Sequence, residues 1–275
     1  METLFASKSF SRRRAIGASL NALGRVVAIV AAGAMVVNSA ALAARADGPA
    51  DAARFLERSQ RALVQARQRH AQTPANADSG VQLAKTCFDR AEFSTADTER
   101  AALAVEGINV CRQISERNST NAAAHLFLAL NLGQLARTKT LGALRLVGEM
   151  EREFKRAIDL DATVEHAAPE RYLGQLYQEA PGWPTSIGSR SRARQHLLRA
   201  GELSPDFPEN RLCLLEALME WNDRKSLAKE AVAYREQLPA SRGKFAGENW
   251  EAAWADWNRR WEKIAAFLAK LDGKK

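Results

Sequence analysis

Apolar residues in this chain recur at intervals of three and four, with charged residues between them. Over residues 50–71, Ala52, Phe55, Leu56, Leu63 and Ala66 share one face, Arg and Glu lie opposite, and Ser59 is the one polar residue inside the stripe. That is the spacing of an amphipathic helix. The same pattern predicts helices over 81–93, 98–117, 122–135, 143–160, 169–179, 189–203, 209–221, 223–238 and 249–271. Breaks fall at 73–80, with Pro74 and Gly80, and at 94–97, 118–121, 137–142, 180–188, 204–208 and 241–247. Pro169 suits a first helical position, where its missing N–H costs nothing. No sustained stretch alternates apolar and polar residues in the manner of a strand. The expected fold class is all-α.

The helices also repeat. Phe154-Lys155-Arg156-Ala157-Ile158-Asp159-Leu160-Asp161 recurs 43 residues later as Leu197-Leu198-Arg199-Ala200-Gly201-Glu202-Leu203-Ser204. Arg112, Arg156 and Arg199 sit at equivalent helix positions, and Pro205 and Pro239 are 34 residues apart. A helical hairpin repeated at such a period stacks into a solenoid. Repeats longer than 34 residues imply insertions, placed here near 137–142 and 180–188.

Tyr172-Leu173-Gly174-Gln175-Leu176-Tyr177 resembles the first helix of a tetratricopeptide (TPR) repeat, and Ala193, Leu197, Ala200 and Pro205 resemble the second, with Leu197 in place of the usual aromatic. The likeness is good over 150–240 and blurred over 80–135, where Gly107 and Ser119 stand at positions usually Ala and Pro. It implies TPR-like hairpins forming a right-handed solenoid, a fold that usually presents a binding surface. The run from Glu170 to Gly174, then Ala180-Pro181 and Gly188, is further similar to the periplasmic T component associated with TRAP transporters, a family often lipid-anchored; no lipidation Cys stands here. That resemblance implies a transport accessory.

Residues 1–46 read as a Sec-type signal peptide. Lys8, Arg12, Arg13, Arg14 and Arg25 precede an uncharged apolar run over 26–37, and small residues mark cleavage after about 43 or 46. Ser11-Arg12-Arg13 makes twin-arginine export a second route, and an uncleaved anchor is the rival reading. The expected mature chain has an N-terminal helix and linker over 47–78, repeats over 79–240 and a capping helix over 248–273. It is periplasmic or secreted. The formal charge of +8 and pI of 9.7 belong largely to the leader; the rest carries 34 basic against 31 acidic residues. Nucleic acid is therefore not an expected partner.

Cys87, Cys111 and Cys213 would be core thiols, with a Cys87–Cys111 bridge left open. His70, His125, His166 and His196 are scattered, and no phosphate loop, His-Glu-x-x-His or Gly-x-Ser-x-Gly occurs. No enzyme activity, metal or cofactor is expected.

Two features carry the binding expectation. Trp183, between Gly182 and Pro184, either folds back as core or caps a groove; Arg171, Tyr172, Arg190 and Arg194 flank its loop and either bind a carboxylate or phosphate or form a solvated face. Trp250, Trp254, Trp257 and Trp261 step by 4, 3 and 4 into Ile264, Leu268 and Leu271. Such a stripe serves a capping helix, a dimer seam or an aromatic ligand platform. The expected function is exported, non-enzymatic binding of a partner protein, peptide or small organic anion, with a self-associating envelope scaffold as the alternative.

Overall fold

The structure, a computed structural model, describes residues 49–139 and 142–272. The leader expected over 1–46 lies outside them. Among the described residues ten α-helices follow one another: α1 (Pro49–Gln72), α2 (Ala77–Glu92), α3 (Asp97–Arg117), α4 (Ala122–Arg137), α5 (Ala143–Asp161), α6 (Val164–Glu179), α7 (Arg190–Leu203), α8 (Pro208–Glu220), α9 (Arg224–Lys244) and α10 (Glu251–Asp272), with a 3-10 turn, Glu248–Trp250, before the last. The only β pairing described is a single bridge between Gly182 and Gly188.

Helix starts follow local chemistry. Asn76, Asn121, Ser189 and Asp223 each accept a hydrogen bond from the backbone N–H three residues on, and Pro208 opens α8. The cap at Asn76 corrects one boundary: α2 begins at Ala77, so Gly80 lies inside the helix, with Ile114 of α3 against it. A second correction concerns α9, which continues through Pro239 to Lys244. The Ser241 hydroxyl, shared between the carbonyls of Asp206 (2.6 Å) and Gln237 (3.1 Å), anchors the added turns. Leu56, placed on the buried stripe of α1, is instead exposed; Phe55, Leu63 and Ala66 are buried.

Successive helices from α2 to α9 pack as antiparallel hairpins, and every second helix also touches the next: α2 with α4, α4 with α6, α6 with α8, α8 with α10. The even-numbered helices thus form an inner row. In that row α4, α6 and α8 are buried nearly all round, whereas α5, α7 and α9 bury one face. Gly174 permits one close crossing, since a Cβ there would lie 2.8 Å from Leu197 Cγ. The repeated positions keep their roles: Phe154 and Leu197 are core, and Ala157 and Ala200 are fully enclosed.

The two ends of the array meet. Arg58 of α1 pairs with Glu248, and Arg54 with Glu251 at 3.3 Å. The Trp stripe faces inward. Trp257 is 0% exposed, and Phe207 and Trp254 pack edge-on to it at 5.4 and 4.9 Å. Trp254 Nε1 donates to the Phe245 carbonyl (2.6 Å), and Trp261 lies against Tyr234. Arg260 fixes α10 to α8 by donating from Nε and Nη2 to both oxygens of Glu216 at 2.8 and 2.7 Å. All three cysteines are free and buried, so Cys87 and Cys111 form no bridge. Burial pushes the Cys213 thiol up to about 12 and the other two higher still.

Candidate functional site

The inner row, α1 and the start of α10 line a half-open cavity of about 540 Å³. α1 contributes Phe55 and Arg58, α2 contributes Lys85 and Asp89, and α4 contributes Phe127. α6 adds His166, Arg171 and Tyr172, Phe207 just before α8 and Glu209 within it follow, and the C-terminal segment adds Trp250 and Trp257. This size and mix, mostly apolar with a few charged groups, is that of a small-molecule or short-segment site, for which roughly 300–1,000 Å³ is usual.

The entry to α6 is unusual. Glu165, His166 and Ala167 have φ of 49°, 60° and 60°, three successive left-handed residues with no glycine among them. Each costs on the order of 1–2 kcal/mol, so the surroundings must hold the turn. Asn210 of α8 does so: its Nδ2 donates to the carbonyls of His166 (3.1 Å), Ala200 (3.0 Å) and Ser204 (3.1 Å). The turn sets the His166 ring on Phe207, with centroids 4.6 Å apart, and edge-on to Phe245 at 5.2 Å. Burial lowers the His166 pKa, leaving the ring neutral near pH 7.

Arg171 is 3% exposed, and its guanidinium lies over the rings of Tyr172 (4.9 Å) and Phe207 (5.2 Å). Its Nη1 donates to Asn210 Oδ1 at 2.6 Å and to the His166 carbonyl at 3.4 Å. Nε has no acceptor, and no carboxylate among the described residues is within ion-pairing distance. Glu209 acts on Arg171 only through space and is itself paired with Arg260 at 3.3 Å. Tyr172 Oη and Trp257 Nε1 are likewise buried without a hydrogen bond. Burial raises the Tyr172 pKa far above the usual phenol value, against the pull of Arg171.

The charges contributed by α2 are arranged differently. Lys85 Nζ pairs with Glu165 at 3.1 Å; burial works to lower its pKa, but Asp89 and Glu165 outweigh it. Asp89 accepts no hydrogen bond among the described residues, and burial raises its pKa. Glu92 pairs with Arg137 at 2.9 Å.

The predicted binding residues divide. Arg171 and Tyr172 line the cavity and are buried, so the solvated-face reading fails for them. Arg190 and Arg194 stack on Trp221 at 5.1 and 5.2 Å, and Arg194 pairs with Asp223 at 2.7 Å. Trp183 is 89% exposed and packs into no core, so the expectation that it folds back is overturned. Its loop closes through Gly188, whose N–H donates to the Pro181 carbonyl (2.8 Å) and where a Cβ would collide with the Ala180 carbonyl. None of these last three lines the cavity. Of the Trp stripe, Trp250 and Trp257 do, whereas Trp254 and Trp261 pack between α9 and α10. Asp89, Lys85, His166 and Asn210 escaped sequence reasoning. Isolated polar residues in helical pattern carry no signal until their helices are placed side by side.

Comparisons agree with this architecture. Among solved structures the chain is similar to TTC0263, a thermophilic TPR protein of Thermus thermophilus, at 16% identity over 77% of this chain and 92% of that one, with a TM-score of 0.57. The fold is a TPR-like solenoid. Yeast Tom70 is also matched, at 10% identity over 80% of this chain and 63% of that one, but a TM-score of 0.27 carries no argument. No family model and no curated protein matches the sequence.

Proposed function

We propose that this chain is an exported, non-enzymatic TPR-like binding protein whose ligand, a small organic molecule or the end of a partner polypeptide, occupies the central cavity. One observation carries the reading: α2, α4, α6 and α8 and both ends of the described chain contribute walls to a single cavity. Solenoids that present a surface leave such a groove open; here Arg54 and Arg58 against Glu251 and Glu248 narrow it at one side by joining the two ends of the described chain. The basic start and apolar run before residue 46 support export to the periplasm. A role beside a transporter rests on the Glu170–Gly188 likeness alone.

Two of the four histidines are tied to carboxylates. His125 pairs with Glu153 at 2.6 Å and His196 with Glu170 at 2.5 Å, each locked to a carboxylate and not beside a nucleophile. The buried cysteines are held as thiols. The self-associating alternative loses its seam, because the Trp stripe is engaged within the chain.

Native mass spectrometry of the exported chain, purified gently from a periplasm, tests the reading. A monomer carrying a defined adduct that Ala253→Trp displaces is the expected result, since Ala253 lines the cavity. A bare oligomer would overturn it.

A second reading concerns partner proteins. Trp183 exposes a large aromatic surface at a loop tip, and such residues serve as interface anchors. Trp183→Ala should then lose a periplasmic partner in a pull-down without changing Tm.

A further inference from the structure

We propose that the cavity binds a monocarboxylate on an apolar body, with Arg171 as the residue that grips the carboxylate. The proposal rests on the reading of the cavity as the binding site and adds the ligand's chemistry.

The argument begins with unmet donors. Arg171 donates Nη1 to Asn210 and the His166 carbonyl and interacts with the Tyr172 hydroxyl; its Nε–H meets no acceptor, and neither does the Trp257 Nε1–H or the Tyr172 O–H. These three side chains are at most 3% exposed, and all line the same cavity. Buried donors are almost always satisfied, and leaving a charged one without an acceptor is costlier still. A carboxylate supplies two acceptor oxygens in one plane, the geometry that a guanidinium fork accepts.

The cation is also preorganised. Rings of Tyr172 and Phe207 hold its faces, while Asn210 Oδ1 and the His166 carbonyl hold Nη1. The His166 carbonyl belongs to the left-handed turn at 165–167, so that turn helps orient the guanidinium. Strain that fixes a binding group in advance reduces the cost of ordering it on binding.

The rest of the wall narrows the ligand. Phe55, Phe88, Phe127 and Trp250 offer an apolar surface for the body of the molecule. Asp89, Glu92, Glu165 and Glu209 also line the cavity, and Asp89 has no ion-pair partner among the described residues. A second negative group on the ligand would meet these carboxylates, so a dianion is disfavoured. The carboxylate could come from a free organic acid or from the C-terminus of a polypeptide.

Isothermal titration of the full exported chain distinguishes these cases. The probes are 3-phenylpropionate, its amide, phenylsuccinate, and an acetylated Gly-Gly-Phe peptide with a free or amidated C-terminus. The expected result is saturable binding of 3-phenylpropionate, the free-acid peptide or both, with the matching amide and phenylsuccinate at least about tenfold weaker. Binding by the free acid alone identifies a small metabolite as the source; binding by the peptide alone identifies a partner's C-terminus. Arg171→Gln should abolish binding, but it also removes the Asn210 contact and can unfold the protein. Tyr172→Phe is the deciding variant: it keeps the ring against Arg171 and removes only a hydroxyl whose O–H has no acceptor in the unliganded protein, so the fold is spared while affinity falls about tenfold.

Amides binding as tightly as acids, a Tyr172→Phe protein with unchanged affinity, or no acid binding at all would each overturn the proposal. If acids fail while native mass spectrometry still finds an adduct that Ala253→Trp displaces, the cavity is a site and its carboxylate assignment is wrong. If Ala253→Trp displaces nothing, the cavity reading fails as well.

Discussion

Arg58 Nη1 donates to the Glu248 backbone carbonyl at 2.7 Å across 190 residues of sequence. Its other terminal nitrogen pairs with the Glu248 carboxylate. This contact joins the first helix to the turn that opens the last.

Breaking that contact should loosen the ring without unfolding it. Exposed ion pairs contribute up to about 1 kcal/mol and weaken with salt. Arg58→Ala is therefore expected to lower global stability by less than about 1 kcal/mol. Amide hydrogen exchange in α1 and at 248–257 should quicken clearly, and added salt should mimic the effect in the unsubstituted protein. Exchange rates unchanged in both segments would show that packing alone holds the ends together.

The tryptophans should separate by burial. Trp257 is enclosed by Phe207, Phe245, Trp250 and Trp254. Trp257→Ala is expected to cost about 3–5 kcal/mol, measured by chemical denaturation. Trp183→Ala should stay within about 0.5 kcal/mol. Equal effects would mean that the loop packs against the helices after all.

Backbone strain at Glu165 has its own signature. Asn tolerates the left-handed region, whereas a β-branched residue is an outlier there. Both Glu165→Asn and Glu165→Val lose the Lys85 pair equally, and their right-handed helix propensities are close. The Val variant should therefore be less stable by about 1–2 kcal/mol. Matching stabilities would place 165–167 in an ordinary helix.

Glu179 predicts a pH effect. Burial raises its pKa well above 4.5, and Glu220 and Glu216 raise it further. Below 4.5 the carboxyl is protonated in both folded and unfolded chains and contributes no difference. As pH rises through 4.5 the unfolded chain ionises first, so stability falls until the folded carboxyl ionises too. Glu179→Gln should remove that decline, so its stability gain over the unsubstituted chain grows from pH 4 towards neutrality. A pH-independent difference in denaturation midpoints would refute this.

The hairpins were legible because their signals are local: capping Asn and Asp, turn prolines, and a 3–4 spacing of apolar residues. Pro239 misled because a helix can continue through proline when a side chain such as Ser241 anchors the following turn. The binding residues were legible only in part, for a geometric reason. Arg171 and Tyr172 stand in the first turns of the regular part of α6, whereas the Trp183 loop follows its last turn, roughly 14 Å further along at helical rise. Sequence proximity made one site of two places. The left-handed turn at 165–167 had no Gly to announce it; Asn210, more than forty residues later, enforces it. The meeting of α1 with the C-terminal segment depends on the curvature accumulated by the whole array, which no local pattern records.

The contact between Arg58 and Glu248 also limits how this chain can change length. An open array tolerates the gain or loss of one hairpin, because every unit touches only its neighbours. Here an added hairpin would carry Glu248 out of reach of Arg58, and a lost one would drive the two ends into each other. Insertions and deletions of whole units should therefore be forbidden between α2 and α9, while the loop tips around Trp183 remain free to vary.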